Sequence, residues 1–363
     1  MIKLIQPSIT LESINDELKE IFDSGQFTQG KYVDLFQNSL QDYLGVEYVG
    51  LTTSATTALA LGLRVMGVKP GDKVAVSDYS WPASSNVIEE LGATPVFIDI
   101  DNQTFNMSAT DLEKKINDRF AAVIFVDTFG NPSGIKEIKN ICTRHNVPLL
   151  EDAACALGSK IDDIKVGAFS DITCFSFHPR KVLNTGEGGA ITTNNKKYID
   201  DLKIKLSAGA SGKAEIGLNF VDFGFNFRLT EIQALMGWKQ LLTLDELINE
   251  RNKIKEDYIT SLVNYKFAPQ KIETGIKHNS QSVVFLVPDN INRNDLVKYL
   301  LTKDIESTLG TYCLSATSFN KAKYNEIQET SSLIHSKAIT LPCYQGLEVK
   351  KVAHEIINYT AYK

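Results

Sequence analysis

The sequence predicts an α/β fold, with a mostly parallel central sheet and a smaller C-terminal α+β domain. Three observations predict it. Between about residues 40 and 193, short apolar runs alternate with helical patterns. Those runs are continuous rather than alternately polar, as in strands covered on both faces of a parallel sheet. Past residue 230, one long helical pattern leads into a shorter region with two further apolar runs.

Taken in order, residues 73–76, 95–100, 122–126 and 147–152 read as strands. Residues 83–91, 108–117 and 135–145 read as the helices between them. A fifth apolar strand, 171–177, runs into His178 and Pro179. Lys181, a glycine-rich turn at 186–189 and another strand at 190–193 follow. The helical pattern over 230–262 sets Ile232, Leu235, Met236, Leu241, Leu244, Leu247 and Ile248 on one side. Residues 282–287 and 338–341 read as strands of the second domain. The expected division is a large ligand-binding domain over 1–245 and a small domain over 246–363. In open α/β sheets ligands bind beyond the carboxyl ends of the strands. Trp81, Asp152 and Lys181 all fall at or just after such ends.

Bulk composition narrows the function classes. The 363 residues are 43% hydrophobic and 23% charged, a globular balance long enough for two domains. The net charge of −6, with acids and bases interspersed, gives no nucleic-acid footprint. No apolar run approaches the roughly 20 residues of a membrane span. The start, Met1-Ile2-Lys3-Leu4-Ile5-Gln6-Pro7, is too polar for a signal peptide. The five cysteines (142, 155, 174, 313 and 343) are odd in number and lack metal-ligand spacing. A reduced, cytoplasmic setting without a metal site is the expectation.

Several motifs carry chemistry. A lysine held between a strand end and a glycine turn can form a Schiff base with an aldehyde cofactor. A solvated loop lysine is the ordinary alternative. Thr52-Thr53-Ser54-Ala55-Thr56-Thr57 is a hydroxyl-rich turn running into an apolar helix. It suits an anion at a helix N-terminus, or simple capping. Glu151-Asp152 ends an apolar strand, where a carboxylate needs a cation such as a protonated pyridine nitrogen; a helix cap would account for it equally well. Trp81 offers a face for a flat ring, or a piece of core. Phe223 to Glu231 mixes aromatics with Asn226 and Arg228 ahead of a helix. His178 reads as a hydrogen-bonded strand-end histidine.

Together these residues resemble the DegT/DnrJ/EryC1/StrS family of sugar aminotransferases, within fold type I of the pyridoxal-phosphate enzymes. Ser-Phe-His-Pro-x-Lys at 176–181 and Thr-Gly-Glu-Gly-Gly at 185–189 carry the likeness. It extends from Phe27-Thr28-Gln29-Gly30 through the helix after Arg228; the last third fits only in outline. The resemblance implies pyridoxal 5′-phosphate as cofactor, with Lys181 as its Schiff-base lysine and pyridoxamine phosphate as the aminated form. It implies Asp152 as partner of the ring nitrogen and Trp81 stacked on the ring. Ala55, Thr56 and Ser176, with Ser54 at the same turn, would hold the phosphate. Asn226 would reach the phosphate of a neighbouring subunit, making a homodimer with shared sites. Thr28, His178 and Arg228 are candidates for the substrate side. Cys155 stands where the family usually has Gln or His contacting the ring hydroxyl. Ala55 replaces a usual glycine, and Asp127 stands where histidine is frequent. A related dehydratase branch has histidine in place of Lys181. The implied reaction moves the amino group of L-glutamate to a nucleotide-linked 3- or 4-keto-6-deoxy sugar, in amino-sugar and surface-polysaccharide biosynthesis. The rival readings are a cyclitol aminotransferase or aminohydroxybenzoate-type synthase, and a non-enzymatic sensor or scaffold. The presence of both Lys181 and Asp152 disfavours the last.

Overall fold

The apolar runs become one seven-stranded sheet in a computed structural model that describes residues 1–117 and 119–361. Its strands are β1 (Tyr48–Thr52), β2 (Lys73–Ser77), β3 (Thr94–Ile98), β4 (Phe120–Val126), β5 (Leu149–Asp152), β6 (Ile172–Ser176) and β7 (Gly189–Thr193). Their spatial order is β1–β7–β6–β5–β4–β2–β3. β3, β2, β4, β5 and β6 pair in parallel. β7 alone opposes its neighbours, pairing antiparallel with β6 and β1. The connection between β6 and β7 explains this. Residues 177–188 turn straight back, without the helical crossover that a parallel return requires.

Alternate residues of each strand sort to opposite faces. Val123 and Phe125 join one core cluster, whereas Ala122 and Ile124 join the other. Both faces are therefore covered, which is why the strands are apolar throughout.

One expectation is corrected. The helical pattern over 230–262 is not one helix but two, α2 (Glu231–Leu241) and α3 (Leu244–Leu262), counting α1 as Ala55–Val65. Thr243, at φ −120° and ψ 12°, leaves the helical region. Asp245 and Glu246 follow in the first turn of α3, where acids favour a helix start. Thr243-x-x-Glu246 is itself a start signature, hidden in the sequence by the continuous apolar stripe.

Beyond α3, Ala268–Pro269, Val283–Leu286, Ala338–Leu341 and Thr308–Leu309 form an antiparallel sheet in that spatial order. Tyr258, Phe285, Ile339, Val352 and Ile356 belong to a third core cluster beside it. The sequence reading had no counterpart for the hairpin Ala210–Lys213 and Leu218–Phe220. Ile216, Leu218, Phe220 and Phe223 on and beside it are all exposed. Among the described residues no helix is long and apolar enough to cross a membrane.

Asp152 and Ser176 close β5 and β6, Asp127 follows β4, and α1 follows β1. The parallel strands therefore deliver their ends to one edge of the sheet, where the site forms.

Candidate active site

The loop carrying Lys181 is closed by its own backbone. Phe177 N donates to Gly188 O at 2.8 Å, and Thr185 N donates to Phe177 O at 2.8 Å. Gly186 sits at φ +82°, a left-handed turn that favours glycine. Gly189 is needed for space. A Cβ there would lie 2.5 Å from Ser54 C and 2.7 Å from Ala55 N. The end of the lysine loop thus rests directly on the start of α1. Lys181 Nζ donates to Cys155 Sγ at 3.0 Å.

The start of α1 is capped from within. Ser54 Oγ accepts from Thr57 N at 3.1 Å, and Thr57 Oγ1 accepts from Ser54 N at 3.1 Å. Capping therefore occupies Ser54. The amides of Ala55 and Thr56, first in the helix, have no intrahelical acceptor. Both residues line a cavity of about 480 Å³, together with Ser176.

Asp152 lies on the same cavity, 5% exposed. Its Oδ2 accepts from Ser84 Oγ at 2.6 Å, and its Oδ1 from Ala154 N at 3.3 Å. Burial raises its pKa, while these bonds and the charge of Lys181 oppose the rise. Asp152 forms no ion pair among the described residues. Its carboxylate is thus a buried anion without a cation in contact, which suits a cationic ligand atom.

Behind Asp152 is a second acid pair. Asp127 and Glu151 are both 0% exposed. Glu151 Oε2 accepts from Ser170 and Thr173 hydroxyls, but Oε1 and both Asp127 oxygens have no ordinary donor among the described residues. Burial first, then the Glu151 charge, raises the Asp127 pKa well above the usual carboxylate range. Two buried carboxyls side by side disfavour a second charge, and the neutral form is favoured at Asp127. Asp127 follows directly on an apolar strand, much as Asp152 ends one, and that pattern was the signal for its place in this acid group.

Trp81, 63% exposed, lies on the cavity wall with its ring 5.7 Å from that of Tyr312. His178 also lines the cavity, and its Nδ1 accepts from Arg180 N at 3.2 Å. The structure thus gathers Ser54, Ala55, Thr56, Trp81, Asp152, Cys155, Ser176, His178 and Lys181 around one space. Thr28, Asn226 and Arg228 are not on its lining. Thr28 is exposed and bridges to Thr230; Asn226 is exposed; Arg228 Nε is buried without a hydrogen-bond partner among the described residues. The sequence reading missed the contribution of the last third: Arg251, Gln281, Thr308, Thr311 and Thr340 complete the wall. Nothing local marks these residues, which reach the site only through long-range packing.

These donors fit pyridoxal 5′-phosphate. An amine, a buried carboxylate lacking a cation, an exposed indole and an open helix N-terminus face one cavity, and each answers one part of that molecule.

Comparison with known proteins agrees with this reading. The pattern of the DegT/DnrJ/EryC1/StrS aminotransferase family matches residues 9–358. GDP-perosamine synthase of Vibrio cholerae is 30% identical over 369 residues, covering 99% of each chain. UDP-4-amino-4,6-dideoxy-N-acetyl-beta-L-altrosamine transaminase of Campylobacter jejuni is 31% identical over 344 residues, covering 92% of this chain and 90% of that one. Helicobacter pylori PseC, an aminotransferase involved in the biosynthesis of pseudoaminic acid, superposes with a TM-score of 0.94 at 27% identity, over 100% of both chains. This chain belongs to the DegT/DnrJ/EryC1/StrS family of pyridoxal-phosphate-dependent aminotransferases.

Proposed function

We propose that this enzyme transfers the amino group of L-glutamate to a nucleotide-linked keto-sugar. The observation that carries the proposal is the meeting of Lys181, Asp152 and the open start of α1 on one cavity. The sugar-nucleotide relatives support the acceptor class.

When bound, pyridoxal 5′-phosphate supplies an electrophilic carbon and an electron-accepting ring. The amides of Ala55 and Thr56 and the Ser176 hydroxyl hold an anionic group at the positive end of α1. Asp152 keeps a proton on a nitrogen opposite its carboxylate, and Ser84 fixes the orientation of that carboxylate. Trp81 covers one face of a flat ligand. Lys181 Nζ takes a proton from the donor's α-carbon. In the second half it delivers a proton to the former carbonyl carbon of the sugar. The donor leaves as 2-oxoglutarate, and the sugar gains an amine.

The test is a panel of nucleotide-linked 3-keto and 4-keto sugars offered with L-glutamate and followed by mass. Amination of at least one member, with 2-oxoglutarate formed in step, is expected. Amination of a cyclitol ketone with every sugar untouched would overturn the acceptor assignment.

The working unit in this reading is a homodimer. The exposed apolar side chains of the 210–220 hairpin, and Asn226 lying off its own chain's cavity, support it. Asn226→Asp would set a carboxylate against the neighbour's phosphate and weaken cofactor retention. Mixed dimers of Lys181→Ala and Asn226→Asp chains should regain activity, because one of their two sites is intact. Mixed dimers, confirmed by native mass, that stay as inactive as their parents would place Asn226 within its own chain.

A further inference from the structure

Gln281 is 4% exposed and meets the lysine loop from outside it. Its Nε2 donates to Arg180 O at 2.7 Å, and its Oε1 accepts from Val182 N at 2.8 Å. One amide therefore grips the backbone on both sides of Lys181. The grip is itself braced. Gln281 N donates to Asn279 Oδ1 at 2.9 Å. Gln281 O accepts from Arg251 Nη2 at 2.7 Å, while Arg251 Nε donates to Ser280 O at 3.0 Å and Nη1 to Cys343 O at 2.7 Å. Arg251, 3% exposed, spends these bonds on three carbonyls and locks the strip before the Val283–Leu286 strand.

A buried primary amide that matches one donor and one acceptor is a specific fit. No apolar side chain supplies either bond, and a carboxylate supplies only the acceptor. The rest of the loop explains why a grip is needed. Residues 177–188 are tied at the stem through Phe177 and Thr185, but Lys181 lies in the middle of the excursion. Around it, Lys181 N donates to His178 O at 2.8 Å and Arg180 N to His178 Nδ1 at 3.2 Å, while Gln240 holds the loop further on, at Asn184. Without Gln281, the buried Val182 N would lose its acceptor and the part-buried Arg180 O its protein donor, and the loop would move to replace them.

We propose that Gln281 is a positioning residue for amine transfer: it fixes the backbone that aims Lys181 Nζ, and ties that aim to the C-terminal part of the chain through Arg251. The proposal rests on Lys181 being the reacting amine. Displacing a reacting group by about 1 Å can cost roughly 100-fold in rate.

Two variants test it. Gln281→Leu removes both bonds. Gln281→Glu keeps the acceptor for Val182 N and removes the donor to Arg180 O. For variants that remain folded by circular dichroism, kcat should fall in the order wild type, Gln281→Glu, Gln281→Leu, by roughly 10- to 100-fold overall. The KM for glutamate should stay within about twofold, because the donor keeps its own contacts. A second readout does not depend on turnover. When cofactor-free protein is mixed with pyridoxal 5′-phosphate, the visible absorption band should grow more slowly in the same order. A kcat within twofold of wild type in Gln281→Glu, with the band growing at the wild-type rate, would overturn the proposal. A higher KM at unchanged kcat would overturn it too, because it would make Gln281 a substrate contact. Lys181→Ala serves as the reference. If that variant retains activity, the assignment of the reacting amine fails. If it is inactive while both Gln281 variants are normal, only the positioning role fails.

Discussion

Lys181→Ala is expected to abolish transfer of the amino group. The loss should exceed the roughly 10²–10⁴ that acid–base catalysis alone contributes, because the amine also forms the covalent link to the cofactor. Lys181→Arg should be equally inactive. A guanidinium keeps the charge but cannot act as this nucleophile. Neither change should unfold the chain, since among the described residues the Nζ bonds only Cys155 Sγ, and it lies on a cavity wall. The check is a single-turnover assay of glutamate conversion with matched thermal melts. Residual turnover above about one part in 10³ in Lys181→Ala would mean that another group moves the proton.

Asp152→Asn is the second large effect. An asparagine amide preserves the size of the group and can still meet Ser84 Oγ and Ala154 N, which bond the carboxylate at 2.6 and 3.3 Å. What is lost is the negative charge. A preorganised electrostatic contact of this kind is commonly worth about 2.7–4 kcal/mol, or roughly 10²–10³ in rate. The glutamate half-reaction, followed by the visible spectrum under stopped flow, should slow by that factor while the cofactor stays bound. A near-normal half-reaction would reduce Asp152 to a structural hydrogen-bond acceptor.

The residues that could be read in the sequence have chemistry tied to a local pattern. Lys181 is flanked by an apolar strand and by glycines that a Cβ would disrupt, and Asp152 is a carboxylate at the end of a buried strand. The strands and helices of the large sheet follow the same logic, because period and burial show in consecutive residues. What stayed hidden is long-range. Gln281 meets Val182 from 99 residues away, and the strip around it looks like any loop. The pairing of Lys160–Ile161 with Ile276–Lys277 joins two-residue strands far too short to carry a period. The break between α2 and α3 was masked by apolar residues that continue across it. Asp127 was readable by the rule that found Asp152, but the raised pKa it owes in part to Glu151 depends on two strands lying side by side.

The central claim is that Lys181, and no other amine, reacts. Lys165 offers a real competitor. Burial lowers its pKa to about 8, and its Nζ sits 2.9 Å from the centre of the Tyr43 ring and 3.8 Å from Asp245. That lowered basicity makes it a nucleophile near neutral pH, but it does not line the cavity of Asp152 and α1. Borohydride reduction of the cofactor-loaded enzyme, followed by peptide mapping, separates geometry from basicity. The label is expected on the peptide containing Lys181, at one equivalent per chain. A label on Lys165, or spread over several lysines, would contradict the account.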